Sequence, residues 1–510
     1  MLHYSMMSSK RNRRDAWQAI ADNIVRFLAS ERFFQIILGV FILQALWFVF
    51  TARYPMAFDE NFHFGLIKLH AQQWMPFFTH QPAGADVYGS AVRDPSYLYH
   101  YLMSWPYRLI SAITGNQTEQ VIFLRLINVS MFAYSFVLFR RLLMRLGGSR
   151  ALSHTSLLIF SLLPITAFLA ATINYDNLFI VLTAWTLLAT FTWIDELRAG
   201  RVSVAKTITL LCMAILACLV KYAFLPITAA IVFFMVWELW QKKADVPALR
   251  AACIQSLRKL SRFKIAGLIL LALVSLGLFL ERYGINLVRY HQLSLNCHKV
   301  LSVAACSQYG PWDRNYLDIL IKPSTFHPNV PWYIADWIGG MWQRIFFAIN
   351  YNYVTKPQLP IPSATAAILG IGSIVAFMFV GRKLLRGKPY RQVTFLAMVL
   401  YIIALFMQDF QSYAQTGAAV AVNGRYLLPF IPVILLFSGL ALRQYWRKRQ
   451  VLKPFTVVLV ALLFLQGGGV LTYIVQSDPT WDWPNRGIID VNNAARDVLK
   501  PLIVGSGDRY

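Results

Sequence analysis

Charge of either sign is scarce in this chain: Asp, Glu, Lys and Arg make up 14% of its 510 residues, against 57% hydrophobic ones. A soluble globular domain carries about a quarter of its residues as charges, so water is excluded as the main solvent. Acids are the scarcer sign, 23 against 48 Lys and Arg, for a net charge of +25. In a soluble protein that excess would point to nucleic acid. Here the bases fall between apolar runs, where the positive-inside rule puts them, and no nucleic-acid partner is expected. Internal repeats, low-complexity tracts and a soluble domain are also lacking. So is a cleavable signal peptide: a polar segment with Lys10, Arg11, Arg13 and Arg14 precedes the first apolar run, which has no small-residue cleavage site and is expected to stay as an anchor.

What the chain has in abundance is apolar sequence in lengths that match a bilayer. A membrane core takes about 20 residues of helix. Runs of that kind lie at 34–52, 119–139, 152–172, 177–194, 207–220, 223–240, 265–281, 363–381, 393–408, 426–442 and 455–475. They predict an all-α polytopic membrane protein of about eleven transmembrane helices. Basic segments separate alternate runs: Arg140 to Arg150, Arg198 to Lys206, Lys242 to Lys264, Arg382 to Arg391 and Arg443 to Lys453. With the basic tail 1–33 they hold most of the Lys and Arg, which places the N-terminus in the cytoplasm of a plasma (inner) membrane. The transmembrane domain then spans 34–475, and its large loops 53–118 and 282–362, with the tail 476–510, all face outward.

Those outer segments are rich in aromatics, among them Trp74, Trp105, Trp312, Trp332, Trp337, Trp342, Trp481 and Trp483. Indoles at the headgroup level account for any one of them, and sugar stacking is the alternative. Of the five cysteines, Cys297 and Cys306 lie close together in the second outer loop, while Cys212, Cys218 and Cys253 fall in or near helices or on the cytoplasmic side. An oxidising outer face favours a Cys297–Cys306 disulfide.

The chemistry-bearing segment follows the first run: Phe58-Asp59-Glu60-Asn61-Phe62-His63-Phe64-Gly65-Leu66-Ile67-Lys68-Leu69-His70. Two adjacent carboxylates at the membrane surface are costly to place. As a helix, the segment would set Asp59 and His63 on one face and give Phe62, Leu66 and Leu69 as an apolar stripe for the interface. Asp59 could equally serve as a helix cap. Three more ionisable residues sit at the outer ends of spans: Asp176 in Ile173-Asn174-Tyr175-Asp176-Asn177, Lys221 in Leu219-Val220-Lys221-Tyr222, and Arg425 in Asn423-Gly424-Arg425-Tyr426-Leu427-Leu428-Pro429. Lys221 and Arg425 are the residue types that hold a lipid phosphate or pyrophosphate, and a nearby carboxylate could take the proton of an acceptor hydroxyl. Smaller signals have ordinary explanations. A polar interface position accounts for each of His70 and His100, and a turn before Pro95 accounts for Asp94.

At these residues the chain resembles the GT-C membrane glycosyltransferases. The shared features are an acidic pair after the first span, a Tyr-Asp turn between the third and fourth, and Gly-Arg-Tyr-Leu-Leu-Pro at the start of a late one. Within that fold it is most similar to the DUF2142 family, whose usual first-loop pattern is Pro-Asp-Glu-x-x-His; here Phe58 stands in place of the Pro. The resemblance implies that a first-loop acid is the catalytic base and that the donor is a sugar on a polyprenyl or dolichyl phosphate. Asp59 is then the first choice for the base, with Glu60 not separable from it, and Arg425 would hold the donor phosphate. His63, Asp176 and Lys221 complete the substrate-binding set. Some branches of the fold use a divalent metal; no spacing here is a metal signature, and no cofactor is expected.

The expected partners are a lipid-linked sugar donor, a glycan, lipid or protein acceptor, and membrane lipids. The leading expectation is an enzyme that transfers a sugar to a cell-envelope acceptor by one inverting displacement. The alternative is a transporter or flippase of polyprenyl-linked glycans, which should show repeat symmetry and broken helices with polar groups near the midplane.

Overall fold

Apolar runs punctuated by Ser and Asn fold as helices with caps. Ser30, Asn116, Ser149, Ser203 and Ser261 each precede a helix, and their side-chain oxygens accept a backbone N–H from its first turn. The computed structural model describes residues 2–242, 246–347, 361–420, 422–445 and 468–504. Within them the secondary structure is helical, apart from one isolated antiparallel bridge between Ala52 and Asp482.

In chain order the helices begin with α1 (Leu2–Ala29), α2 (Glu31–Thr51), α3 (Glu60–His70), α4 (Leu98–Ile113), α5 (Gln117–Arg145), α6 (Arg150–Leu162) and α7 (Pro164–Ala171). The middle of the chain supplies α8 (Asp176–Arg198), α9 (Val204–Val220), α10 (Leu225–Gln241), α11 (Val246–Arg258), α12 (Arg262–Phe279), α13 (Ile285–Tyr290), α14 (Val303–Cys306) and α15 (Gly310–Ile321). The last third gives α16 (Val330–Phe347), α17 (Ile361–Leu385), α18 (Pro389–Thr416), α19 (Ile431–Tyr445), α20 (Val470–Gln476) and α21 (Arg486–Val504).

Six of the described helices are long and apolar enough to cross a membrane: α2, α5, α8, Tyr222–Gln241, Arg262–Tyr290 and α18. Counting the bent pair α6–α7 as one span gives seven. This is the build of a helical membrane protein. The predicted run 363–381 lies within α17, and 207–220 and 426–442 correspond to the shorter apolar helices Val204–Val220 and Ile431–Gln444. Most of 455–475 lies outside the described residues. The run 152–172, read as one span, is instead bent by 69°. Pro164 is the cause: it offers no N–H to continue the helix and forces Leu163 into extended backbone (φ −66°, ψ 126°).

Helices pack by aromatic and small side chains, as apolar surroundings require. Phe41 of α2 lies 4.5 Å from Phe136 and 5.4 Å from Phe132 of α5, ring to ring, and Phe160 of α6 closes the cluster 5.4 Å from Phe136. Buried Thr183, Thr186 and Thr190 on α8 return their hydroxyls to carbonyls one turn back, so none of these three is left without a partner.

The ion pairs divide the bundle into two ends. At one end Arg140 pairs with Glu31, Arg145 with Asp195 and Arg198 with Glu238. At the opposite ends of these same helices α2, α5 and α8 lie Thr51, Gln117 and Asp176, and there the loops bearing α3 and α4 are gathered.

Candidate active site

The site grows from the turn that follows α2. Phe58 and Asp59 both adopt left-handed backbone, with φ of 69° and 63°. Non-glycine residues rarely accept this, at a cost of about 1–2 kcal/mol each. The Asn174 side-chain amide donates to the Phe58 carbonyl at 2.9 Å and helps to hold the turn.

The turn sends the two acids in opposite directions. Glu60 points inward and is fully buried, and both its oxygens are taken. Arg125 of α5 donates Nε to Oε1 at 2.8 Å and Nη2 to Oε2 at 2.7 Å, and the backbone N–H groups of Ile173 and Met56 donate at 3.1 and 2.7 Å. Arg125 also donates to the Ala52 carbonyl at 2.6 Å. Glu60 is thereby a keystone of the fold, with no lone pair turned toward a substrate.

Asp59 points outward, its side chain 62% exposed, and is bonded by Arg425 (Nη2 to Oδ2, 2.9 Å). Asp59 does occupy the position before α3, but its side chain makes no capping hydrogen bond. Asp59 stands before the helix on left-handed backbone with its side chain exposed, whereas His63, whose N–H donates to the Asp59 carbonyl at 3.0 Å, is buried. The apolar stripe is corrected too: Leu66 and Leu69 are buried against Phe77, Ala85 and Val92.

Two further ends complete the cluster. Asp176 opens α8, its carboxylate beside the positive end of the helix. Lys221, at the end of α9, donates to Asp176 Oδ1 at 2.5 Å. Asp176 Oδ2 lies 3.8 Å from Arg425 Nε. The side chains therefore run Asp59, Arg425, Asp176, Lys221, with the last three 6% exposed or less. Arg425 reaches this place because Gly424 passes close to α16: a Cβ there would fall 2.5 Å from the Met341 carbonyl oxygen. Its charge lies over the rings of Phe58 (4.9 Å) and Tyr426 (5.1 Å), and that of Lys221 over Tyr426 (4.5 Å) and Tyr175 (4.7 Å). Two donors of the buried Arg425, Nε and Nη1, have no hydrogen-bond partner.

His63 borders the cluster, its ring 4.6 Å from that of Tyr175. It meets His100 of α4, Nδ1 to Nε2, at 2.8 Å. Burial pushes both imidazoles toward the neutral form, His63 well below its ordinary value and His100 to about 3; the charges of Arg425 and Lys221 add to the effect on His63. Asp94 accepts from the Ser96 N–H at 2.9 Å, the turn role expected of it.

All six residues singled out for catalysis and substrate binding thus meet at one end of the bundle. Cys297 and Cys306 are bonded to each other apart from this cluster, with Cα atoms 5.7 Å apart. Tyr309, three residues beyond Cys306, packs its ring 5.7 Å from Phe62 of α3. The sequence reading did not include Arg125, the His100 contact or the rings of Phe58, Tyr175 and Tyr426. An arginine in the otherwise uncharged stretch 121–139 was the signal available for Arg125. Among the described residues, no group of three or more His, Cys, Asp or Glu is placed to hold a metal ion. No family model, no curated protein and no solved structure matches the chain.

Proposed function

We propose that the protein is a membrane glycosyltransferase of GT-C type, moving a sugar from a polyprenyl-phosphate donor to an acceptor on the outer face of the cell membrane. In this reading the chain crosses the bilayer about eleven times with its N-terminus in the cytoplasm, and the ion cluster faces outward. The observation that carries it is Arg425: a buried guanidinium whose Nη1 and Nε make no hydrogen bond, Nε having only the Asp176 carboxylate at 3.8 Å, beside Lys221 and next to the single exposed carboxylate of the cluster. A phosphate oxygen satisfies those donors, and burial in a low-dielectric site strengthens the bond.

The chemistry follows from the layout. The acceptor hydroxyl attacks C1 of the sugar while Asp59 takes its proton. The bond from C1 to the phosphate oxygen breaks, and the electron pair leaves with the phosphate, whose charge Arg425 and Lys221 receive. One displacement inverts the anomeric centre. Glu60 is assigned no proton-transfer role, because Arg125 and two backbone N–H groups already occupy it.

The feature that a transport reading would use is the 69° break between α6 and α7. That break carries no ionisable residue: Gln44 and the Gly469 N–H meet the carbonyls of Ser161 and Leu162 there, and the ionisable cluster lies at helix ends elsewhere. Transfer of radiolabel from a panel of polyprenyl-phosphate sugars to membrane extract, with the purified protein reconstituted in sealed vesicles that carry the donor in one leaflet, separates the two readings. Transfer that Asp59→Asn and Arg425→Ala both abolish supports the enzyme. Donor that crosses the bilayer unconsumed supports the transporter.

A further inference from the structure

The apolar surface that the sequence places on α3 exists, but on α4. On that helix Leu102, Trp105, Leu109 and Ile113 recur at helical spacing along one face and are 44% to 73% exposed. Trp74 and Met75 extend the patch, with Trp74 ring to ring at 5.4 Å from Trp105. A contiguous exposed apolar patch on an element outside the membrane-spanning helices marks an interaction site.

Three observations say what covers it. Only three residues separate Ile113, the end of α4, from Gln117, which opens α5, one of the helices long and apolar enough to cross a membrane, so α4 lies at the level where α5 enters. The α4 sequence contains no acid, and its one arginine, Arg108, lies against the indoles of both Trp74 (4.4 Å) and Trp105 (4.9 Å) while donating to the carbonyls of His70, Ala71 and Gln73. Aromatic rings with a cation at their rim, flanked by aliphatic residues, match the headgroup–acyl boundary of a bilayer. The opposite face of α4 is tied to the site: His100 bonds His63, and Tyr99 donates to Asn128 at 2.8 Å.

We infer that α4 is an interfacial helix, its exposed face seated in the headgroup–acyl boundary of the outer leaflet, and that it fixes the depth of Asp59 and Arg425 against the lipid phosphates. The depth assignment for the active site rests on the glycosyltransferase reading; the seating of α4 in lipid does not.

Spin labels at Leu109→Cys and Ile113→Cys, with Thr79→Cys as an exposed reference, test it in nanodiscs of phosphatidylcholine and phosphatidylglycerol. Cys253, the partly exposed free thiol, is replaced by Ser in all of them. The seated helix gives labels at 109 and 113 that collide more with molecular oxygen than with a water-soluble nickel chelate, and the reverse at 79. Preference for the nickel chelate at all three positions overturns the inference, as does protection from both reagents at 109 and 113, which would mean a protein partner or a second copy. A second arm uses Leu109→Glu/Ile113→Glu. It is expected to raise KM for a long-chain polyprenyl donor several-fold and to leave transfer from a water-soluble short-chain analogue unchanged. Equal effects on both donors overturn the depth role; absence of transfer by the wild type defeats the enzyme reading and leaves the spin-label result standing.

Discussion

Adjacent acids with opposite fates carry the residue-scale argument. Glu60 and Arg125 form a fully buried pair, and removing one partner of such a pair costs about 3–5 kcal/mol, because the other is left charged in an apolar interior. Arg125→Ala and Glu60→Ala are therefore expected to lower the thermal unfolding midpoint strongly in detergent, whereas Asp59→Asn, at a largely exposed side chain, should leave it near wild type and still cost about 10²–10⁴-fold in transfer, the usual worth of a general base. Equal stability losses at 59 and 60 would contradict the division of labour. The sequence could not make this division, since both residues are acids after an apolar run. The left-handed backbone at Phe58 and Asp59 turns Glu60 inward; Asp is a residue type that accepts such backbone more readily than most, but Phe58 gives no sign of it.

The histidines give a second prediction at this scale. His63 and His100 lie outside the membrane-spanning helices, and burial lowers the folded pKa of each below the ordinary 6.5. A depressed histidine pKa means that the unfolded chain binds more protons on acidification. Stability is thus fully present above about pH 6.5 and declines as the pH falls toward the folded value, about 3 for His100, with a slope of about 1.4 kcal/mol per pH unit for each group. Unfolding midpoints measured from pH 7.5 to 5 should fall, and less steeply in His100→Gln. A flat profile in the wild type would contradict neutral burial of the pair.

Among elements, the segment before α21 acts as a clamp on the turn that bears the acids. Trp483 donates its backbone N–H to the Thr51 carbonyl at 2.9 Å, Arg53 donates to that of Trp481 at 2.7 Å, and the Trp483 ring lies 5.4 Å from the Arg125 guanidinium. Since Arg125 also holds Ala52 and Glu60, the clamp reaches Asp59 through one continuous set of bonds. Trp483→Ala is expected to cost about 3 kcal/mol or more as a large buried side chain, to reduce transfer, and to expose the chain near Ser477 to protease. Unchanged proteolysis and activity would show that the clamp is dispensable. Hydropathy made the long helices legible, because α2, α5, α8 and α18 each carry a full bilayer length of apolar residues. The interfacial element was misread because α3 and α4 both carry apolar stripes, and only packing shows that Leu66 and Leu69 are buried under Phe77.

At the scale of the whole molecule, the six residues come from four segments of the chain and were legible as a set because charge patterning assigns the ends of those apolar runs to one side before any contact is known. Their pairing partners were out of reach: whether Lys221 meets Asp176 or Arg425 depends on which helices are neighbours, and α8 against α9 is a matter of packing. The orientation itself is open to test. A single cysteine at exposed Thr79 should react with an impermeant maleimide on intact cells expressing the protein, and one at Arg386, in the basic end, only after permeabilisation. The opposite pattern would put the site in the cytoplasm.

The measurement that bears most directly on the central claim is the affinity of the purified protein, in nanodiscs, for a polyprenyl-phosphate sugar that the wild type consumes, compared with Asp59→Asn and Arg425→Ala. If the unused Arg425 donors are the phosphate seat and Asp59 is the base, Asp59→Asn binds the donor about as tightly as the wild type without transferring its sugar, and Arg425→Ala loses both binding and transfer. Donor binding that survives Arg425→Ala, or transfer that survives Asp59→Asn, would contradict the account.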